Sequence, residues 1–594
     1  MCGFAGKINW KSNTYSSVIE KMCQKMINRG PDDYGLIHID NITLGHRRLS
    51  IIDCSSRAKQ PMKSTDGRFH IVYNGEIYNF KDLKLELEKN GIIFNTTSDT
   101  EVLLYSYIFW GNECLNRFNG MFSFAIWDKE KKELFLARDR FGKKPLYYYL
   151  SDKIFVFASD LTALMLDEEI PKKYSYTALN CYLALGYILS PYTYYKDVSK
   201  LEAATYLIYA ESGKKITKKK YWDYDNFFRT KTKEDINSIS MHLTDLLHSS
   251  VKKRMISDVP VGAFLSGGID SSSVVAIMKK YHNEPLNTFS IGFSNINYNE
   301  LPYAEHVSKQ IGTIHHSAIC EREEGIKLLN DAINIFDEPF ADNSMIPMLK
   351  LSELASRHLK VVLSGDGADE IFAGYITYLA DKYYDYVKII PDFMKRIFIG
   401  TGNFFTRFES KKIGFFYKQK QFFYGTLYSK QKAHYLWRMF FTPEERINIL
   451  GNQYRELVYD TDPYHIFNKY YQQVKDLDCL DQNLYVDAMT WLTDDILVKI
   501  DRASMQYGLE VRSPYLDVDL VEYAASIPSS LKLHGFTTKY ILKKIIKNIL
   551  PEKIIKRKKS GFNAPVNSWL KLNNMDEFKT LNKYVFDNKI KHNI

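Results

Sequence analysis

Three stretches of this chain carry residue types whose spacing can do chemistry. Cys2 directly follows Met1. Removing an initiator methionine before so small a residue would leave Cys2 at the mature N-terminus. There its α-amino group, with a pKa of about 7.7–8.0, can take the proton of its own thiol. The second stretch, SGGIDSS from Ser266 to Ser272, follows the apolar run VPVGAFL and precedes SSVVAIMKKY, whose apolar residues recur at helical spacing. Strand, loop and helix in that order aim backbone N–H groups and a helix N-terminus at an anion. Gly267 and Gly268 let the backbone approach a phosphate, and the hydroxyls of Ser266, Ser271 and Ser272 add donors. Asp270 stands where it can hold the Mg2+ that accompanies a polyphosphate. This is not a Walker loop: GxxxxGK[ST] is absent and no lysine lies in the turn. The third stretch, SGDGADE from Ser364 to Glu370, is again a strand opening into a glycine turn. Asp369 is expected as the second Mg2+ ligand, with Asp366 and Glu370 behind it or facing a substrate.

The elements around these stretches alternate. NTFSIGF (Asn287 to Phe293) reads as a strand, LPYAEHVSKQIG as a helix, TIHHSAIC as a strand, REEGIKLLNDAINIF as a helix and KVVL as a strand. That order predicts a doubly wound parallel sheet with ligands at the carboxyl ends of its strands, where both glycine turns fall. The Tyr/Phe-rich region 375–494 reads as a helix-rich extension without a legible motif. Upstream, LEAATYLIYAESGKKITKKKYW holds a strand, a turn at Ser212-Gly213 and a basic stretch, and the polar RTKTKEDINS follows. A linker at 218–235 is expected between domains at 2–217 and 236–594. DEPFADNS (Asp337 to Ser344) sets three carboxylates before a helix, to face a substrate or to cap that helix.

Composition narrows the class. The 594 residues exceed one ordinary core, so two to four domains are expected. The 45% hydrophobic and 25% charged residues suit a globular protein, and no apolar stretch is long enough to span a membrane. MCGFAGKINW lacks the pattern of a secretory signal, and the seven cysteines are scattered without a CxxC pair, which fits a reduced, cytoplasmic protein. The net charge of +10 is densest at KIIKRKK (Lys553 to Lys559), read as a phosphate-facing or solvated segment rather than a nucleic-acid face.

The first half carries five ordered motifs: CGFAG, HRRLSIID (His46 to Asp53), YNGEIYN (Tyr73 to Asn79), TSDTE (Thr97 to Glu101) and RDRFGKKPLYY (Arg138 to Tyr148). Together they resemble the class II glutamine amidotransferase domain, an N-terminal-nucleophile (Ntn) hydrolase built as an αββα sandwich. The residue chemistry agrees with that resemblance. Asn74 and Gly75 can offer a side-chain and a backbone N–H to an oxyanion, although Asn-Gly alone would signal a hairpin turn. Arg48 offers a planar fork to the α-carboxylate of glutamine, and Glu76 and Asp99 can hold its α-ammonium. Arg47 reads as a structural ion pair. SDTE reads as a capping box, with Ser98 as N-cap and Glu101 at N3.

In the second half, SGGIDSS and SGDGADE with DRASMQYGLEVRSPYLD (Asp501 to Asp517) and KKSGFNAPVNSW resemble the asparagine synthase domain, whose sheet is of the ATP-pyrophosphatase (adenine nucleotide α-hydrolase) type. The whole chain is similar to the glutamine-hydrolysing asparagine synthetase family; where relatives read L-P-P-G near the junction, this chain has LEAAT. The likeness implies ATP contacts from Leu265, Ser266, Ile291, Ser364 and Gly365. It sets Lys559 at the pyrophosphate or the acyl-adenylate oxyanion, with membership of a solvated basic run as the competing account. It implies ATP and Mg2+ as cofactors and glutamine and aspartate as substrates, and it is compatible with a homodimer; neither a nucleic acid nor a membrane is expected as a partner. Cys2 would release ammonia from glutamine, and the second domain would adenylate aspartate for the ammonia to attack. Two alternatives stay open: an amidotransferase acting on a sugar acid or peptide, and an RNA-modifying or RNA-binding protein built on the same ATP-splitting loop. An intact Cys2 with Arg48, Asn74, Gly75 and Asp99 argues against a β-lactam-forming relative.

Overall fold

The computed structural model describes residues 2–10, 15–210, 215–282, 284–405, 414–557, 561–570 and 577–591. In the first half twelve strands form two antiparallel sheets: β1 (Gly3–Asn9), β2 (Asp33–Ile39), β3 (Ile42–Arg48), β4 (Met62–Lys63), β5 (Phe69–Ile77), β6 (Gly120–Asp128), β7 (Glu133–Arg138), β8 (Tyr147–Leu150), β9 (Ile154–Ala158), β10 (Val198–Lys200), β11 (Thr205–Ala210) and β12 (Lys215–Lys220). The sheet orders are β10-β8-β9-β1-β3-β2 and β12-β11-β7-β6-β5-β4. Alternation along the strands builds three apolar layers. Phe4, Ile8, Leu44, Val72, Trp127, Leu136, Phe157 and Leu207 form the layer between the sheets. On one outer face Ala5, Val156 and Ala158 meet Ile19, Met22 and Cys23 of helix Ser17–Lys25. On the other, Tyr73, Phe122 and Phe124 join the cluster containing Leu83, Leu87, Val102 and Leu103 of helices Phe80–Lys89 and Asp99–Trp110. The expected αββα sandwich is therefore present.

The second half has a five-stranded sheet of β13 (Val261–Phe264), β14 (Asn287–Phe293), β15 (Ile314–Cys320), β16 (Val361–Leu363) and β17 (Glu510–Arg512). Every neighbouring pair is parallel, in the order β15-β14-β13-β16-β17. The chain works outward from β13 to β15 and then returns to the other side of β13, so the switch point lies between β13 and β16. Both glycine turns leave from those two strands. The region 375–494 is helical where described, and a segment of π-helix over Ala488–Ile496 joins it to helix Leu497–Met505.

The segment joining the halves is docked rather than loose. Trp222, Tyr224 and Phe228 are buried, Thr232 N–H donates to Ser526 O, and the Lys231 ammonium donates to the carbonyls of Ala525 and Ile527. Asp235 then caps helix Ile236–Arg254 through the N–H groups of Asn237 and Ser238. Three aromatic side chains bury apolar area that a reading of local polarity does not register. The turn expected at Ser212-Gly213 lies outside the described residues.

Candidate active sites

Cys2 stands one residue before β1, and Asn74 lies on β5 of the facing sheet. The sheets bring them together: Cys2 N–H donates to Asn74 Oδ1 at 3.0 Å. Asn74 is fully enclosed, and its Nδ2 has no hydrogen-bond partner among the described residues. An orphaned buried amide donor is costly to keep, and an oxyanion formed beside Cys2 would satisfy it.

Gly75 is placed by a strand rather than by a turn. The Asn74-Gly75 pair is no turn: both residues lie within β5, opposite Ser123 and Phe122 of β6. Phe122 directs both backbone groups to Asp139, donating to Oδ2 at 3.1 Å and accepting from Asp139 N–H at 2.8 Å. By the alternation of an antiparallel ladder, the Gly75 N–H then faces away from β6. A glycine is required by close approach, since a Cβ here would lie 2.2 Å from Met121 O. Gly75→Ala should displace this strand segment, destabilise the fold by about 1–3 kcal/mol and lower glutamine-dependent turnover by about 10²-fold; thermal unfolding and glutamate release measure the two effects.

The other residues expected here lie nearby in defined roles. Arg48 is buried and donates to the carbonyls of Ile52, Asp53 and Ser55, clamping the loop after β3. Arg47 makes no ion pair among the described contacts; its Nε donates to Gly30 O at 3.0 Å and its guanidinium stacks over Tyr34. Asp99 begins helix Asp99–Trp110, and its Oδ2 accepts from Tyr73 OH at 2.9 Å and Ile77 N–H at 3.1 Å. Burial pushes Asp99 up to about 6 against those hydrogen bonds. Only half of the expected capping box exists. Ser98 Oγ accepts from Glu101 N–H, but the Glu101 carboxylate accepts from the N–H groups of Asn95 and Thr96 rather than from that of Ser98. Burial also raises the Cys2 thiol, opposed by the Leu49 N–H and the Arg48 charge.

At the switch point of the second half, Gly267 turns with φ +67°, and a Cβ there would lie 2.5 Å from the Tyr303 carbonyl carbon. Gly365 of the other turn presses on the first, where a Cβ would meet Ser271 N at 2.7 Å. Ser266 Oγ accepts from Gly268 N–H and pairs with Ser271 Oγ at 3.1 Å. Asp270, in the first turn of helix Ile269–Tyr281, and Asp369 converge on one buried ammonium. Lys539 Nζ lies 2.7 Å from both oxygens of Asp270 and 2.6 Å from Asp369 Oδ1. Two carboxylates that already gather around a cation suit Mg2+, which takes one or two carboxylates and completes its shell with phosphate oxygens and water.

An open cleft of about 550 Å³ surrounds this pair, lined among others by Ser266, Gly268, Lys539, Lys543 and Arg557. Arg557 donates to Ser266 O at 3.1 Å and to Glu300 Oε1 at 2.6 Å. Leu265 and Ile291 are buried at and beside the end of β13, and the Ser364 N–H donates to Arg512 O. The Ser272 hydroxyl is enclosed and does not line the cleft. Asp366 is half-buried, and Glu370 accepts from Tyr375 OH. Lys559 lies outside the described residues. The acids of DEPFADNS mostly hold the halves together. Asp337 accepts from Leu161 N–H and Arg502, Glu338 from Tyr194 N–H and Lys200, and Asp342 accepts from Ser344 and pairs with Lys499.

Sequence reasoning missed Lys539, Lys543 and Arg557 around the cleft. It also missed the buried charges between the halves: Arg29 on Asp501 at 2.8 Å, and Arg512 on Glu76 at 3.0 Å. Arg557 had a signal as a member of KIIKRKK, and Asp501 and Arg512 as members of DRASMQYGLEVRSPYLD, but neither run indicated a partner.

The asparagine synthase family model matches residues 242–581, and the glutamine amidotransferase domain model matches residues 1–222. Asparagine synthetase [glutamine-hydrolyzing] 1 of Bacillus subtilis (strain 168) is 35% identical over 600 residues, covering 97% of this chain and 89% of the relative. The chain belongs to the glutamine-hydrolysing asparagine synthetase family. A putative asparagine synthetase [glutamine-hydrolyzing] of Mycobacterium tuberculosis (strain ATCC 25618 / H37Rv) is 32% identical over 97% of this chain and 90% of its own length. A second, from Methanocaldococcus jannaschii, is 40% identical over 66% of this chain and 79% of the relative. Among the described residues, no helix is long and apolar enough to cross a membrane.

Proposed function

We propose that the chain makes asparagine from aspartate, glutamine and ATP, with a glutaminase domain at 2–217, a linker at 218–235 and a synthase domain at 236–594. The observation that carries this reading is the pairing of two equipped sites in one chain. In the first, an orphaned Asn74 amide sits beside the Cys2 nitrogen. In the second, two carboxylates meet at the switch point of a parallel sheet.

In the first site the α-amino group of a processed Cys2 takes the thiol proton, and the thiolate attacks the side-chain carboxamide of glutamine. Asn74 Nδ2 and the Gly75 N–H stabilise the oxyanion, and Arg48, Glu76 and Asp99 hold the amino-acid end. Ammonia leaves, and water hydrolyses the thioester to glutamate. In the second site the turns Ser266–Ser271 and Ser364–Gly365, with Leu265 and Ile291, receive ATP, and Arg557 and Lys543 add positive charge beside its phosphates. Asp270 and Asp369 would hold Mg2+, which supplies charge neutralisation to the phosphates. The aspartate carboxylate attacks the α-phosphorus and pyrophosphate leaves; ammonia then attacks the acyl carbon and AMP leaves. Lys559 is assigned to the pyrophosphate or acyl-adenylate oxyanion, and Asp366 and Glu370 to the acceptor side. The seven free cysteines suit a reduced, cytoplasmic setting, and a homodimer is the assembly we assign.

Pyrophosphate release with Mg-ATP and glutamine, with L-aspartate added or withheld, tests the acceptor. Release that depends on aspartate, with asparagine formed, is the expected result. Glutamate release without aspartate-dependent pyrophosphate would direct the search to another carboxylic acid.

A further inference from the structure

Arg512 ends β17 of the second half, and its guanidinium reaches across the boundary to the first. It is fully buried. Its Nε donates to Glu510 Oε1 at 2.6 Å, its Nη1 to the carbonyls of Arg254 and Ile256, and its Nη2 to Glu76 Oε2 at 3.0 Å. Glu76 follows Gly75 on β5, is itself buried, and its other oxygen, Oε1, has no hydrogen-bond partner among the described residues. A carboxylate with one oxygen fixed by a guanidinium and the other open beside the oxyanion strand is arranged to receive a second cation.

We propose that Arg512 is a positioning residue of the glutaminase site: supplied by the synthase half, it aims Glu76 and supports its charge for the glutamine α-ammonium, so the site is complete only with the two halves docked. This rests on the glutamine-binding reading of Glu76 and Asp99 given above. Among the described residues, the charged and titratable groups around Glu76 are Arg512, Asp99 and Glu510, with Tyr73 and Tyr78 beside them. Burial pushes Glu76 well up, and Arg512 is the largest opposing influence. Glu510 shares the same guanidinium and is held down to about 2. One cation therefore serves two buried glutamates. Glu76 is the one left to respond when the α-ammonium arrives, and removing either Arg512 or its competitor Glu510 should move glutamine binding in opposite directions.

The test measures the glutamine Kd against pH in the full chain, in a Cys2→Ala background that leaves glutamine unreacted, with ammonia-dependent synthesis as the control for folding. Arg512→Gln should weaken glutamine binding at least about tenfold at pH 7. It should also shift the acid limb of binding to higher pH by about one unit or more. Arg512→Lys, which keeps the charge, should leave that limb near its original place. Glu510→Gln should shift the limb to lower pH, an improvement that packing damage would not produce. The proposal is overturned if Arg512→Gln and Arg512→Lys lose affinity equally with the limb unmoved, or if Glu510→Gln weakens binding or leaves it unchanged. Should Arg512→Gln lose ammonia-dependent synthesis, the Arg512→Lys and Glu510→Gln results decide. Absence of glutamate release by the unmodified enzyme would instead sink the glutaminase reading itself.

Discussion

Cys2→Ala should abolish glutamate release and glutamine-dependent asparagine formation, by at least about 10⁴-fold, while synthesis from ammonium salts stays within about twofold. Three of the other thiols are sealed off: Cys23, Cys114 and Cys181 are buried in apolar clusters, and burial pushes Cys23 and Cys181 up to about 12. Cys2 differs in its company rather than in an acidic thiol. Burial raises it too, so little thiolate exists at neutral pH without a base. The base on hand is the amine that removal of Met1 would free at the Cys2 nitrogen, whose N–H donates to Asn74 Oδ1 at 3.0 Å. Two results should follow. Glutamine-dependent turnover should rise with pH through the pKa of that amine, about 7.7–8.0, and level off about one to two units above it, whereas a chain that keeps Met1 should lose the glutamine route and retain the ammonia route. Glutamate and asparagine assayed in parallel, with each nitrogen donor, give both readouts. An alanine variant with unchanged glutamate release would refute the first-site assignment.

Much of both sites was legible because their residues lie in short runs whose local geometry is nearly autonomous. SGGIDSS and SGDGADE sit at strand ends as their flanking patterns required, and the five ordered motifs of the first half carried the likeness that implied the sandwich. Local reasoning failed where a distant partner decides. Asn74-Gly75 has the composition of a hairpin turn, yet β6 alongside draws it into a strand, and the glycine answers to Met121 rather than to a turn. Glu101 had the right spacing for a capping box, but the N–H groups of Asn95 and Thr96 took its carboxylate first. Arg47 looked for an acid and found a carbonyl and a ring. Lys539 had no signal at all. It stands 269 positions from Asp270 and is held at φ +53°, a left-handed conformation that a lysine rarely adopts. Arg512 stood in the quoted run DRASMQYGLEVRSPYLD, yet nothing there pointed to Glu76, because contacts across a domain boundary leave no periodic trace in either partner.

Asp270→Asn should remove pyrophosphate release with glutamine and with ammonia alike, by about 10²–10⁴-fold, and leave glutamate release intact. The size follows from what Asp270 faces. Lys539 bridges Asp270 and Asp369, and Lys543 lines the same cleft. The asparagine is nearly isosteric, so the turn keeps its shape, and Lys539 keeps Asp369 as a partner; folding should therefore survive. What is lost is one negative charge from a site that must hold a divalent cation against triphosphate. A competing account makes Asp270 only an anchor for Lys539, and Mg2+ titration separates the two. If Asp270 is a metal ligand, raising Mg2+ should partly restore Asp270→Asn but leave Lys539→Met unchanged, because the methionine variant lacks a cation while retaining both carboxylates. If Asp270 is only an anchor, the two variants should lose activity together and respond alike to Mg2+. Asp369→Asn should follow Asp270→Asn in the first case, since the same ammonium measures both carboxylates at nearly equal distance.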